Sequence, residues 1–134
     1  MDDEVSQAPG VDPREMAAQD QATADRYQEL ADSELALRDG LRFNAGQLSS
    51  YGFDEAAKTD LHAANLADTI EDHAEAGNAA YQHAAQAWTR VAEDQTEEAR
   101  LADQASAKEA EAFGRQADGW IAPYKRQQEH EEER

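Results

Sequence analysis

The side chains able to do chemistry in this chain are four histidines, five serines and thirty acids, with no cysteine. His62 and His73 stand eleven residues apart with Leu66 and Ile70 between them. On a helix that spacing puts both rings on one face, where a buried pair would titrate near neutrality. The plainer expectation is two half-buried rings, screened by solvent or hydrogen-bonded to acids. His83 and His130 read as surface positions. A carboxylate-bridged metal centre in a helical bundle needs Glu three residues before His on two helices. Here those positions hold Thr59, Ile70, Ala80 and Gln127, so no metal is expected.

No glycine-rich loop suits a phosphate, and no cofactor is expected. Ser6, Ser33, Ser49, Ser50 and Ser106 have no His and acid at a spacing that would activate them. Carboxylate pairs such as Glu97 with Glu98, or Glu109 with Glu111, arise by chance among so many acids. A catalytic pair needs an apolar pocket that raises one pKa, and this composition predicts a core too thin to supply one. The expectation is a protein without catalytic activity.

Composition sets that limit. The 134 residues carry a formal charge of −18, and the 40% apolar share is mostly alanine. Leu, Ile, Val and Phe total 16, about 12% of the chain, below the roughly 20% at which a highly charged chain struggles to bury a core. Such a charge repels nucleic-acid phosphate and anionic membrane surfaces and suits a basic protein partner or high salt. Nine Arg against three Lys fits a salt-adapted or GC-rich genome. No run approaches the 18 apolar residues of a membrane span. Residues 1–11 are acidic and lack a secretory signature, so the expected address is cytoplasmic, or export without a cleavable signal.

The elements that must position any site are helices. Residues 1–11 read as a disordered acidic lead, 12–118 as a helical domain, and 119–134 as an aromatic knot with a charged tail. Asp12-Pro13-Arg14-Glu15 is a strong helix start, with a capping side chain, proline at the first position and an acid in the first turn. Tyr27, Leu30, Leu37, Leu41 and Leu48 form a stripe at helical steps, weakened by Glu34 and Asn44. This predicts helix 1 over about 13–48. Gly46, Ser49, Ser50 and Gly52 then mark a turn. Helix 2 is expected over about 54–118. Leu66, Ile70, His73, Gly77, Tyr81, Ala84 and Trp88 step by three and four straight through Gly77-Asn78, as a packing face. Asp118-Gly119 reads as its stop. The alternative is a three-helix bundle turning at 77–78.

An antiparallel hairpin of two long helices leaves each with an uncovered stripe, so dimerisation into a bundle is expected, or an obligate protein partner. Gly77, Ala80, Ala84 and Ala87 would let helices approach closely. Trp120, Ile121 and Tyr124 are candidate partner anchors, unless they fold back over the bundle end. Small helical hairpins exported by signal-less secretion carry a Trp-x-Gly turn and a C-terminal Tyr-x-x-x-acid signal. Tyr51-Gly52-Phe53 and Tyr124 followed by Gln128 match neither. The functional expectation is an acidic helical interaction module: an adaptor, export-associated factor or structural subunit. The alternative is an acidic inhibitor that imitates nucleic acid and blocks a basic protein.

Overall fold

A computed structural model describes residues 11–132, so the acidic lead expected over 1–11 lies outside the described residues but for Val11. The chain is all-α: α1 (Pro13–Ser50), α2 (Asp54–Glu93) and α3 (Glu97–Glu132). Among the described residues, no helix is long and apolar enough to cross a membrane.

α1 starts at the expected cap. Asp12 is extended, and its side chain accepts a hydrogen bond from the Arg14 N–H at 3.0 Å. It ends where Gly52 takes a left-handed φ of 84°. There the Phe53 N–H bonds the Leu48 carbonyl and the Gly52 N–H the Ser49 carbonyl, the paired closure that glycine permits at a helix end. α2 has no side-chain cap, but Asp54 and Glu55 in its first turn favour the positive end of the dipole.

α2 passes unbroken through Gly77-Asn78, because both residues are used for packing. A Cβ on Gly77 would sit 3.1 Å from both the Tyr27 ring and Ala117. Asn78 Nδ2 donates to the Ala24 carbonyl at 2.7 Å. The expected single helix over 54–118 is nevertheless divided, at Asp94–Thr96 instead of 77–78. Asp94 is extended, and Thr96 Oγ1 accepts from the Ala99 N–H at 3.1 Å, with Glu97 and Glu98 in the first turn of α3. Thr96→Ala should therefore cost about 1 kcal/mol, read as a lower urea midpoint; an unchanged midpoint would mean the cap does not hold this turn.

The stop expected at Asp118-Gly119 is absent as well. α3 continues through Pro123 to Glu132, so the aromatic knot and the tail behind it are about four further turns of helix. Pro123 has no N–H for the Gly119 carbonyl, a loss of about 3 kcal/mol in a helix interior. Both residues face solvent, and burial of Ile121 with the docking of Tyr124 beside it offsets that cost.

α2 is the central helix. It runs antiparallel to α1, with Arg38 opposite Asp68 and Asn44 opposite Asp60. It also runs antiparallel to α3, with Arg90 opposite Asp103 and His62 opposite Glu131. α3 thus supplies the layer that a second copy was expected to supply. The buried stripe of α1 is Asp20, Ala24, Tyr27, Ala31, Glu34 and Ala45; of the stripe expected, Tyr27 belongs to it, Leu30, Leu41 and Leu48 are half-buried, and Leu37 is 39% exposed. Helices meeting on alanine and glycine come close, and small residues take the centre of the contact. One core cluster joins Ala24, Tyr27 and Ala31 to Ile70, Ala74, Tyr81, Ala117 and Ile121. A second gathers Ala87, Trp88, Val91 and Ala107 under Met16 and Ala17.

Candidate functional site

Of the packing residues singled out in the sequence, Leu66, Ile70, Gly77, Tyr81, Ala84 and Trp88 are buried and His73 is half-buried. Tyr81 stacks on Tyr27 with ring centres 5.8 Å apart. The histidines are not brought together as a pair. His62 is exposed beside Glu131 at 3.3 Å, whereas His73 lies between Trp120 and Tyr124, at 5.4 and 6.0 Å. Of the three candidate anchors, Ile121 is taken up by the chain's own core and Tyr124 is half-buried against it. Trp120 keeps 36% of its surface exposed.

Two features stand out as sites. The first is a polar seam between α1 and α3, which each pack on α2 and reach one another through side chains. Three contacts recur at a seven-residue step: Asp20 with Glu111, Tyr27 with Asp118, and Glu34 with Lys125. The Tyr27 hydroxyl donates to Asp118 Oδ1. Lys125 Nζ donates to Glu34 at 3.3 Å and Gln128 Nε2 to its other oxygen at 2.9 Å. Burial, then the bond to Asp118, pushes the Tyr27 hydroxyl well above the usual phenol range.

The Asp20 layer departs furthest from expectation. Asp20 and Glu111 are 6% and 9% exposed. Trp88 Nε1 donates to Glu111 at 2.8 Å, and Asp20 Oδ2 is buried with no hydrogen-bond partner. Burial, followed by the hydrogen bond and like charge of Glu111, pushes Asp20 up to about 8. The core was expected to be too thin to raise a carboxyl; in the bundle it does so. The signal was present as Asp20, Tyr27 and Glu34 in one helix and Glu111, Asp118 and Lys125 in another, each at steps of seven. It becomes legible only once the helices are in register.

The second feature is an apolar groove of about 430 Å³ on the outer side of α2 and α3. Ala76, Ala79, Ala80 and His83 form one wall, and Ser106, Ala110 and Phe113 the other, with Glu109 beside them. His83 Nε2 and Ser106 Oγ lie 3.5 Å apart, so α2 and α3 bring this serine to a histidine that its spacing in the sequence does not suggest. Phe113 is 50% exposed and meets Trp120 edge-on at 5.8 Å, so an aromatic row extends the groove along α3. A hollow of about 370 Å³ at the α1–α2 turn has Arg42, Asp54 and Lys58 in its lining and is mixed in charge.

Among the described residues, the acids whose oxygens lie close enough to hold one ion are Asp68, Glu71 and Asp72 on α2. Arg38 Nη1 already lies 2.7 Å from Asp68. Glu71 is pushed up to about 7, first by its hydrogen bond to Glu75 and then by burial. Comparison of the chain with protein-family models, with curated proteins and with solved structures finds no match.

Proposed function

We propose that this chain is a non-catalytic interaction module whose α2–α3 groove receives a basic amphipathic helix from a protein partner. The observation that carries the reading is the exposed pair Phe113 and Trp120 at the end of an alanine-walled groove. Alanine walls admit a helix at short interaxial distance, and exposed aromatics are the side chains that most often anchor an interface. Charge selects the partner. A second copy would bring another −18 to the contact, whereas a lysine-flanked helix would meet Glu109 beside the groove and acids over the surface. The nucleic-acid mimic has less support. Arg38 bridges Asp39 and Asp68, and Arg26 and Arg42 also interrupt the acids of α1.

The test uses a synthetic helix with leucine on one face and lysine on its flanks, against a scrambled peptide of the same composition. Calorimetric titration in high salt should give one-to-one binding of the patterned peptide alone. Phe113→Ala with Trp120→Ala should weaken it at least about tenfold, on the order of 1.4 kcal/mol. Equal binding of the scrambled peptide, or an unchanged affinity in the double variant, would remove the groove from the account.

A further inference from the structure

We infer that the α1–α3 seam is a proton-operated latch: Asp20 and Glu111 hold α1 against α3 while one proton is shared between them, and repel when it is lost. The inference is independent of what the groove binds. Two buried carboxyls, Asp20 on α1 and Glu111 on α3, fall one seven-residue step along from the Tyr27–Asp118 and Glu34–Lys125 layers of the same seam. If both were ionised, neither could donate a hydrogen bond to the other, and like charges side by side in a poorly solvated site would strongly oppose the contact. One proton converts the same pair into a donor and an acceptor, and a charged acceptor makes that bond strong.

The groups facing the pair do not neutralise it. From α2 come the Tyr81 hydroxyl and Trp88, whose N–H donates to Glu111 and also favours the ionised form of Asp20, less than Arg115 does. From α3 comes Arg115, one positive charge that favours the ionised form. Its effect on Asp20 is smaller than those of burial and of Glu111, which oppose ionisation. The orphaned Asp20 Oδ2 fits a neutral carboxyl, whose carbonyl oxygen loses less by going without a partner than a carboxylate oxygen would.

The sign of the pH effect follows by linkage. An unfolded Asp releases its proton near 3.8, while the folded pair keeps it to about pH 8. The folded state binds the extra proton between those limits, so stability from this pair is complete below about 3.8 and declines as pH rises to about 8. Above that, the seam around Asp20 opens and water reaches Trp88, which is 1% exposed in the closed state. The carboxyls of Glu71 beside Glu75 and Asp94 beside Asp103 are also raised, so the test must single out Asp20.

Two measurements do so. In the unaltered chain, carbon-detected NMR of the aspartate carboxyls should show Asp20 titrating above pH 7; a midpoint near 4 would overturn the latch. In a Trp120→Phe background Trp88 is the only indole. Its emission should shift to the red and its acrylamide quenching rise at least twofold between pH 6 and 10, with circular dichroism still helical. Asp20→Asn or Glu111→Gln in that background should abolish the transition, because an amide donates or accepts without titrating. A flat Trp88 response, or the same transition in both variants, would also overturn it.

Discussion

Replacing Trp88 by alanine should remove roughly 3–5 kcal/mol of stability, the loss typical of a fully buried aromatic. The indole is one of the two largest fully buried side chains. Its neighbours Ala87, Ala107 and Ala17 are too short to collapse into the space it would leave. The substitution also removes the N–H that Glu111 accepts, leaving a buried carboxylate beside Asp20 without that donor. Small domains are stable by only about 5–15 kcal/mol, so the variant should be largely unfolded at modest urea. Trp88→Phe separates the two contributions. It keeps most of the volume and loses the N–H, and should cost about 1–3 kcal/mol. Guanidinium unfolding followed by circular dichroism measures both. A loss under about 1 kcal/mol for the alanine variant would mean that Trp88 is not at the centre of the second cluster.

Glycine-to-alanine substitutions should split in sign according to what a methyl group meets. At Gly114 a Cβ would lie 2.6 Å from the Tyr81 ring, which is buried and stacked on Tyr27. The ring cannot swing aside without displacing Tyr27 and its bond to Asp118. Overpacking of this kind costs about 1–3 kcal/mol, against a gain of about 1 kcal/mol in helix propensity. Gly114→Ala should therefore lower Tm. At Gly40 and Gly119 nothing lies within 4 Å of an added Cβ. Both positions are exposed and helical, so the same change should raise Tm there by up to about 1 kcal/mol of stability. A rise at all three positions would mean that α3 does not approach Tyr81 this closely.

Much of the helical layout is legible in the sequence. Asp12-Pro13 marks the start of α1, the cluster Gly46, Ser49, Ser50 and Gly52 places its end within two residues, and the three-and-four stepping from Leu66 to Trp88 carries α2 past Gly77-Asn78. The break at Asp94–Thr96 was harder, because neither glycine nor proline marks it. Its signal is Thr96 before Glu97-Glu98, a short capping pattern inside a run that otherwise favours helix. Gly119 and Pro123 misled in the opposite direction, since burial of Ile121 outweighed the local preference of both. Leucine drew attention away from the buried stripe of α1, which is built on alanine because the helices sit close.

The candidate sites were less legible. Asp20 and Glu111 are 91 positions apart, two acids among thirty, and only the parallel register of α1 and α3 makes them a pair. Phe113 stands in a stretch of the sequence with few other large apolar residues. Its exposure at the groove depends on α3 turning back along α2, which the missed break concealed.

The groove is the centre of the functional account, and nuclear magnetic resonance shift mapping with the patterned basic peptide tests it most directly. Amide and methyl shifts should concentrate at Ala76, Ala79, Ala80, Ala110, Phe113 and Trp120, and saturate at one peptide per chain in high salt. Shifts scattered over the acidic surfaces of α1 and α2, vanishing as salt is raised and leaving Phe113 and Trp120 unmoved, would contradict it.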